Sequence, residues 1–177
     1  ALRLGQPEWV EAKHSGTNKE MYPAWSIITY QFPARGKEPP VKFVWYDGGK
    51  KPPRPPELEK DRKLDGNGAI YVGDKGTILG HRLIPEAKMK KVEPPPKTIP
   101  RVPSHHEDFF IACRGGRPAC SNFDFAANET EAALVGNLAI RAGRRIAWDG
   151  KNMRPTNCSD ADVLALIRRE YRKGWEL

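Results

Sequence analysis

Cysteine is scarce in this chain, with three in 177 residues at positions 113, 120 and 158, and no two of them form a C-x-x-C pair. The four histidines stand at 14, 81, 105 and 106. No helical His spacing gathers four ligands around a zinc ion, so no metal site is expected. Cys113 and Cys120 would close a small loop in an exported protein, although small buried thiols are the commoner arrangement, and the spacing does not choose between them. Long apolar runs are also missing: none approaches the ~18 residues that a spanning helix needs, so no membrane partner is expected. The start, "ALRLGQPEWVEA", has neither an initiator Met nor a charged-then-apolar leader and reads as a cut.

Catalytic constellations are absent as well. No nucleophile with its base and orienting group, no pair of carboxylates within a motif and no phosphate cradle can be assembled from local sequence. The one G-x-G, Gly66 and Gly68 in "LDGNGAIYVG", lacks the third glycine, since Tyr71 stands in its place. It leads into a strand pattern where a dinucleotide fingerprint must open a helix, and is therefore read as a turn.

What is present describes one globular domain. Hydrophobic residues make up 38%, while 17 prolines and 16 glycines call for many turns. The formal net charge is +8. Its positive residues fall in short clusters, "KMKK" at Lys88–Lys91 and "IRREYRK" at Ile167–Lys173, each with acids close by. That is the pattern of a solvated surface, so no nucleic-acid partner is expected.

Strand patterns fill the first part. "EWVEAKHS", "AWSIITYQF" (24–32) and "VKFVWYD" (41–47) show period-two alternation, with Val41, Phe43 and Trp45 expected on the core face. "PARGKEPP" predicts an irregular antiparallel hairpin between the last two. "GGKKPPRPPELEKDRKLDGNG" is neither strand nor helix and reads as a long ordered loop or a flap near a site. "AIYVG" and "TILGH" predict a further hairpin about Asp74-Lys75-Gly76, and 82–103 an irregular strap stiffened by proline.

Helical signals follow. Ser104 with Glu107 forms a capping box, so a helix is expected from Ser104 to about Arg114. Asn128 with Glu131 predicts the start of a second helix ending at Gly143, and Ser159 with Asp162 that of a last one carrying Val163, Leu166, Ile167 and Tyr171. "RRIAWD" reads as a strand. The fold class is α+β: an open, mainly antiparallel sheet with helices packed on one face, in a single domain over 1–177.

Two stretches resemble ligand walls. "VWYDGGK" sets flat rings and a hydrogen-bond acceptor beside glycines that admit close backbone approach. "SNFDF" sets Asn122 and Asp124 among phenylalanines, where turn stiffening is the plainer role. His105 and His106 beside Glu107 and Asp108 suit acid-base work, but neighbours on a helix point about 100° apart, so at most one faces a pocket. The candidate substrate contacts are Tyr46, Asp47, Lys50, Arg54, His106, Asn122 and Asp124. No catalytic, cofactor-binding or metal-binding residue is assigned.

Several stretches together carry a resemblance: "PAWSIITYQFPARGKEPPVKFVWYDGGKKPPRPPEL", "GAIYVGDKGTIL", "RLIPEAKM", "SHHEDFFIACRGGRPACSNFDFAANETEAALVGNLAIRAGRRIAWDGKNM" and "IRREYRKGWEL". In order and spacing the chain resembles the C-terminal half of bacterial oxidoreductases of the glucose-fructose oxidoreductase/inositol dehydrogenase (Gfo/Idh/MocA) family, in the subgroup abundant in planctomycetes. The resemblance implies a two-domain enzyme that transfers hydride between NAD or NADP and a carbinol carbon of a sugar, cyclitol or related polyol. The family's N-terminal Rossmann domain, with its cofactor loop and catalytic Lys and His segments, would lie upstream of Ala1. This chain would then be the substrate-binding and oligomerisation domain, inactive and without cofactor when isolated, and a homo-oligomer through its sheet. Ser104–Phe125 becomes scaffold and pocket edge. Relatives carry a twin-arginine export leader, so the compartment, cytoplasmic or exported, stays open. The alternative is a stand-alone, non-catalytic carbohydrate-binding or protein-interaction module.

Overall fold

The computed structural model describes residues 2–18, 20–168 and 170–176. In chain order its elements begin with β1 (Trp9–His14), β2 (Ser26–Phe32), β3 (Val41–Asp47), β4 (Ile70–Val72), β5 (Thr77–Leu79), β6 (Arg82–Ile84) and α1 (Glu86–Met89). They continue with α2 (His105–Cys113), α3 (Phe123–Ala142), β7 (Ile146–Asp149), β8 (Arg154–Pro155) and α4 (Ala161–Leu164). The fold class is α+β, and its strands divide into two antiparallel sheets, ordered β3-β2-β1-β7-β8 and β4-β5-β6. The chain forms two units, residues 1–50 with 109–177, and residues 51–108. Among the described residues no helix is long and apolar enough to cross a membrane.

Alternation in β2 organises the first unit. Ser26, Ile28, Tyr30 and Phe32 are buried, while Ile27, Thr29 and Gln31 between them are only half-buried. Register carries the same division outward: Ala12 and Trp45 flank Ile28, and Val10 and Phe43 flank Tyr30. Helix α3 covers the buried face through Val135, Leu138 and Ala139, and Val10, Ile146 and Trp148 complete the core beneath it. Gly136 permits the approach. A Cβ built there would lie 2.2 Å from the Tyr30 hydroxyl oxygen and 3.4 Å from Ile28 Cδ1. Trp148 donates its indole N–H to Glu131 Oε1 at 2.6 Å, which satisfies the one polar atom it brings into the core.

Several sequence expectations change here. Phe43 and Trp45 share the face of the core but remain 41% and 53% exposed, because β3 is an edge strand with β2 as its one neighbour in the sheet. Helix α3 begins at Phe123, not near Asn128. Asn122 caps it by accepting the Phe125 amide at 3.3 Å, and an alanine-rich run without proline continues the helix to Gly143, whose left-handed φ of 62° closes it. Asn128 and Glu131 are interior residues that receive the Gln6 side-chain amide. Ser104 does start α2, its hydroxyl accepting the Glu107 amide at 3.1 Å. The last helix shrinks to a single turn capped by Asp160 and not by Ser159. Val163 is buried and Ile167 packs against the core, whereas Leu166 and Tyr171 are exposed, so the expected apolar edge forms only in part. Cys113 and Cys120 are both exposed, not buried.

In the second unit the expected β4–β5 hairpin forms, with the Gly73 amide bonded to Gly76 O at 3.0 Å. The segment read as a strap instead supplies β6 and α1 before it loses regular structure. The proline-rich loop preceding β4 is ordered around Leu58, which is buried, and Glu59. The Glu59 carboxylate accepts two bonds from the Arg82 guanidinium, at 3.1 and 2.9 Å, and one from the Glu86 amide at 2.6 Å. Arg62 in turn pairs with Glu86 at 2.7 Å.

Arg82, with the Glu86 amide, holds the Glu59 carboxyl at about 2, down from 4.5. A carboxyl lowered by folding stabilises the native state above its unfolded value and loses that contribution as pH falls through the folded one. The β4–β6 sheet should therefore weaken between about pH 4.5 and 2. Amide protection factors in β5 and β6, corrected for the intrinsic exchange rate at each pH, should fall as pH drops through that window and become nearly pH-independent in Glu59→Gln. An unchanged acid dependence in the variant would contradict the assignment. In the first unit, Gly136→Ala should cost about 1–3 kcal/mol by overpacking, more than the ~1 kcal/mol gained in helix propensity. Tyr30→Phe in the same chain should restore part of it. Urea melts in which G136A matches the wild type would refute the close-approach argument.

Candidate functional site on the open sheet face

Since α3 covers one face of the five-stranded sheet, the candidate site is the other. Cross-strand register assembles it in rows: Lys13–Ile27–Tyr46 and Glu11–Thr29–Val44, with Trp9–Gln31–Lys42 below. Glu11, Lys13, Ile27, Thr29, Lys42, Val44 and Tyr46 line a shallow depression of about 220 Å³. Ile27 and Val44 form its apolar floor. Hydroxyls come from Thr29 and Tyr46, ammonium groups from Lys13 and Lys42, and a carboxylate from Glu11. Glu11 is held in place by Arg145 at 3.1 Å, and the same guanidinium lies over the Trp9 ring, 4.1 Å from its centroid. This mixture suits a polyhydroxylated ring: C–H faces rest on the aliphatic floor while hydroxyls exchange hydrogen bonds with the rim. It holds no nucleophile with an oriented base. Among the described residues no group of three or more His, Cys, Asp or Glu side chains could hold a metal ion.

Of the residues singled out from sequence, Tyr46 alone lines this depression. Asp47, the next residue along β3, belongs to the opposite face, where its charge helps raise the Tyr22 phenol above its ordinary value, after burial as the main cause. Tyr22 hydrogen-bonds Asn137 of α3. The Lys50 ammonium sits over the Trp25 ring at 4.5 Å. Asn122 caps α3 and Asp124 lies in its first turn, where a carboxylate complements the helix dipole. In the second unit the Arg54 guanidinium ties the loop by donating to Leu58 O at 2.9 Å and Glu59 O at 2.6 Å. His106 is exposed at the start of α2, its ring 4.0 Å from that of His105. Of the candidates in the first unit, Asp47, Lys50, Asn122 and Asp124 do not line the depression that Tyr46 helps to form.

Sequence reasoning passed over Glu11, Lys13, Thr29 and Lys42. Their signal was available in the alternation of β1, where Trp9, Glu11 and Lys13 share a side, but partnering them with Lys42 requires the register of three strands.

The turn after Tyr46-Asp47 admits a sharp test. Gly48 has a φ of 64°, and a Cβ there would lie 2.1 Å from Ala24 O; Gly49 has a φ of 79° with nothing within 4 Å. Gly49→Ala should cost about 1–2 kcal/mol, the penalty of a left-handed residue. Gly48→Ala should cost clearly more, because backbone atoms stand in the way. Equal losses in denaturant titration would show that the turn is not packed against residues 24 and 25 as described.

In comparisons with known proteins, no family model matches this chain and no curated protein matches it.

Proposed function

We propose that this chain is the substrate-side domain of an NAD(P)-dependent oxidoreductase of the glucose-fructose oxidoreductase/inositol dehydrogenase type, acting on a sugar, cyclitol or related polyol. The observation that carries the reading is the asymmetric antiparallel sheet, packed against α3 behind and presenting hydroxyl, ammonium and carboxylate groups over an apolar floor in front. The resemblance in order and spacing described above points the same way. On this reading the sheet is a subunit interface as well as a wall of the substrate pocket.

The cofactor is placed on a separate Rossmann domain, because the residues here do not fit one. Gly66 and Gly68 lead into β4 and not into the N-terminus of a helix, so their amides and a helix dipole do not converge on a pyrophosphate. The role left to this chain is positional. Ile27 and Val44 exclude water beneath the ring, while Lys13, Lys42, Thr29 and Tyr46 orient its hydroxyls, which shortens the search for a reactive geometry.

Calorimetry of the isolated chain with NAD or NADP should give no binding heat, and joining it to a dinucleotide-binding half from the same gene should restore binding. In that joined protein, Lys42→Ala and Tyr46→Phe should raise KM for the polyol by about tenfold, the scale of one lost hydrogen bond to a charged group, with kcat little changed. Tight NAD binding by the chain alone would overturn the proposal. Polyol binding that needs no partner domain would favour a stand-alone carbohydrate-binding module.

A further inference from the structure

The rows of the open face form a grid, with Lys13 and Lys42 at opposite corners and Thr29 at its centre. Glu11 is the one acid in that grid. Its carboxylate is engaged at 3.1 Å by Arg145, which leads into β7, the neighbour of β1 on the side away from β2. Among the described residues, the side chains of Lys13, Lys42, Thr29 and Tyr46 make neither an ion pair nor a hydrogen bond. The depression they line is therefore rich in donors and short of free acceptors. An ammonium group donates three hydrogen bonds and accepts none. A neutral polyol offers it hydroxyl oxygens and no charge, whereas carboxylate and phosphate oxygens only accept, in bonds about twice as strong as neutral ones.

We infer that the polyol held on this face carries an acidic group at each end, one taken by Lys13 and the other by Lys42, as in a sugar diacid or a polyol bisphosphate. The inference rests on the reading of the open face as a substrate wall, and it narrows the substrate class which that reading allows. Spacing asks for two acidic groups. Lys13 and Lys42 are separated by four residues along the strands and by two strand spacings across them, which sets their Cα atoms about 17 Å apart. A lysine stem can lie along apolar surface with its ammonium at the tip: that of Lys13 over Ile27, its neighbour in the row, and that of Lys42 beside Val44, its neighbour of like parity on β3. The gap between the two tips is then the length of a sugar chain, with carbinol carbons above Thr29 and the Tyr46 phenol at the rim. A single carboxylate shared by both lysines would draw both stems across the floor and leave no room there for the polyol.

Calorimetry of the chain joined to the proposed dinucleotide-binding domain and saturated with NAD tests this with galactitol, galactonate and galactarate, which share one configuration and carry no, one and two carboxylates. Each carboxylate should tighten binding about fivefold, the upper end for an exposed ion pair, and the gain should shrink at high salt. Galactitol 1,6-bisphosphate separates the two sources of charge: a larger gain than that of galactarate assigns the ends to phosphates, a smaller one to carboxylates. Both lysines are exposed, so replacing them leaves the core untouched. Lys13→Gln and Lys42→Gln should each reduce the preference for galactarate over galactitol to about fivefold, and the two together should abolish it. Equal affinity for the neutral and charged ligands overturns the inference and leaves the polyol reading intact, whereas binding of none of them overturns both. A second carboxylate that adds nothing to the first, or a preference for galactarate that survives in the double variant, also overturns it.

Discussion

The contact of Gly136 with Tyr30 is the constraint on which the first unit depends. With no Cβ at 136, α3 lies close enough for the Tyr30 ring to be sealed beneath it, and the surrounding aliphatic residues of β1, β2 and β7 complete a continuous core. Burial pushes the Tyr30 phenol up to about 12, which keeps it neutral across the physiological range and makes it a packing group, not a proton donor. Because α3 seals the β1–β2 part of one face, the side chains of opposite parity there, with their neighbours in β3, are left to the other. The open face is a consequence of the closed one.

The two units are held by different physics. The first relies on apolar burial between a helix and a sheet, the second on a small sheet of three-residue strands whose approach loop is tied by charged groups. Glu59 is the centre of that arrangement: it binds the Arg82 guanidinium and the amide that opens α1, while Arg54 fastens the successive carbonyls of Leu58 and Glu59. A loop rich in proline loses less conformational entropy when it orders, so a few such bonds suffice to fix it.

Much of this was legible in sequence where one local rule acts alone. Period-two alternation located β1, β2 and β3, Ser104 announced α2, and Gly143 announced the end of α3. Where two rules competed, the local signal misled. Asn122 and Asn128 both suit a helix start, and the earlier one caps α3 because nothing between them breaks the helix. Phe43 and Trp45 have the parity of core residues but not the position, since only strand order reveals that β3 is an edge. β6 was hidden by the prolines that follow it, and its pairing with β5 is a tertiary fact. The candidate site suffered most: Lys13 and Lys42 are 29 positions apart, and only the register of three strands brings them to one depression. The residues picked from sequence mostly have structural employment, Asn122 as a cap, Arg54 as a loop tie and Lys50 over Trp25.

The central claim is that the two faces of this sheet differ in kind, one committed to the core and the other available to a polyhydroxylated ligand. Methyl-resolved NMR during titration with a cyclitol, in the chain joined to the proposed dinucleotide-binding domain and saturated with NAD, tests that most directly. The account predicts concentration-dependent shifts at Ile27, Thr29 and Val44, with Ile28, Val135 and Ile146 unmoved. Shifts confined to the core-face methyls, or none on the open face at saturating cyclitol, would contradict it.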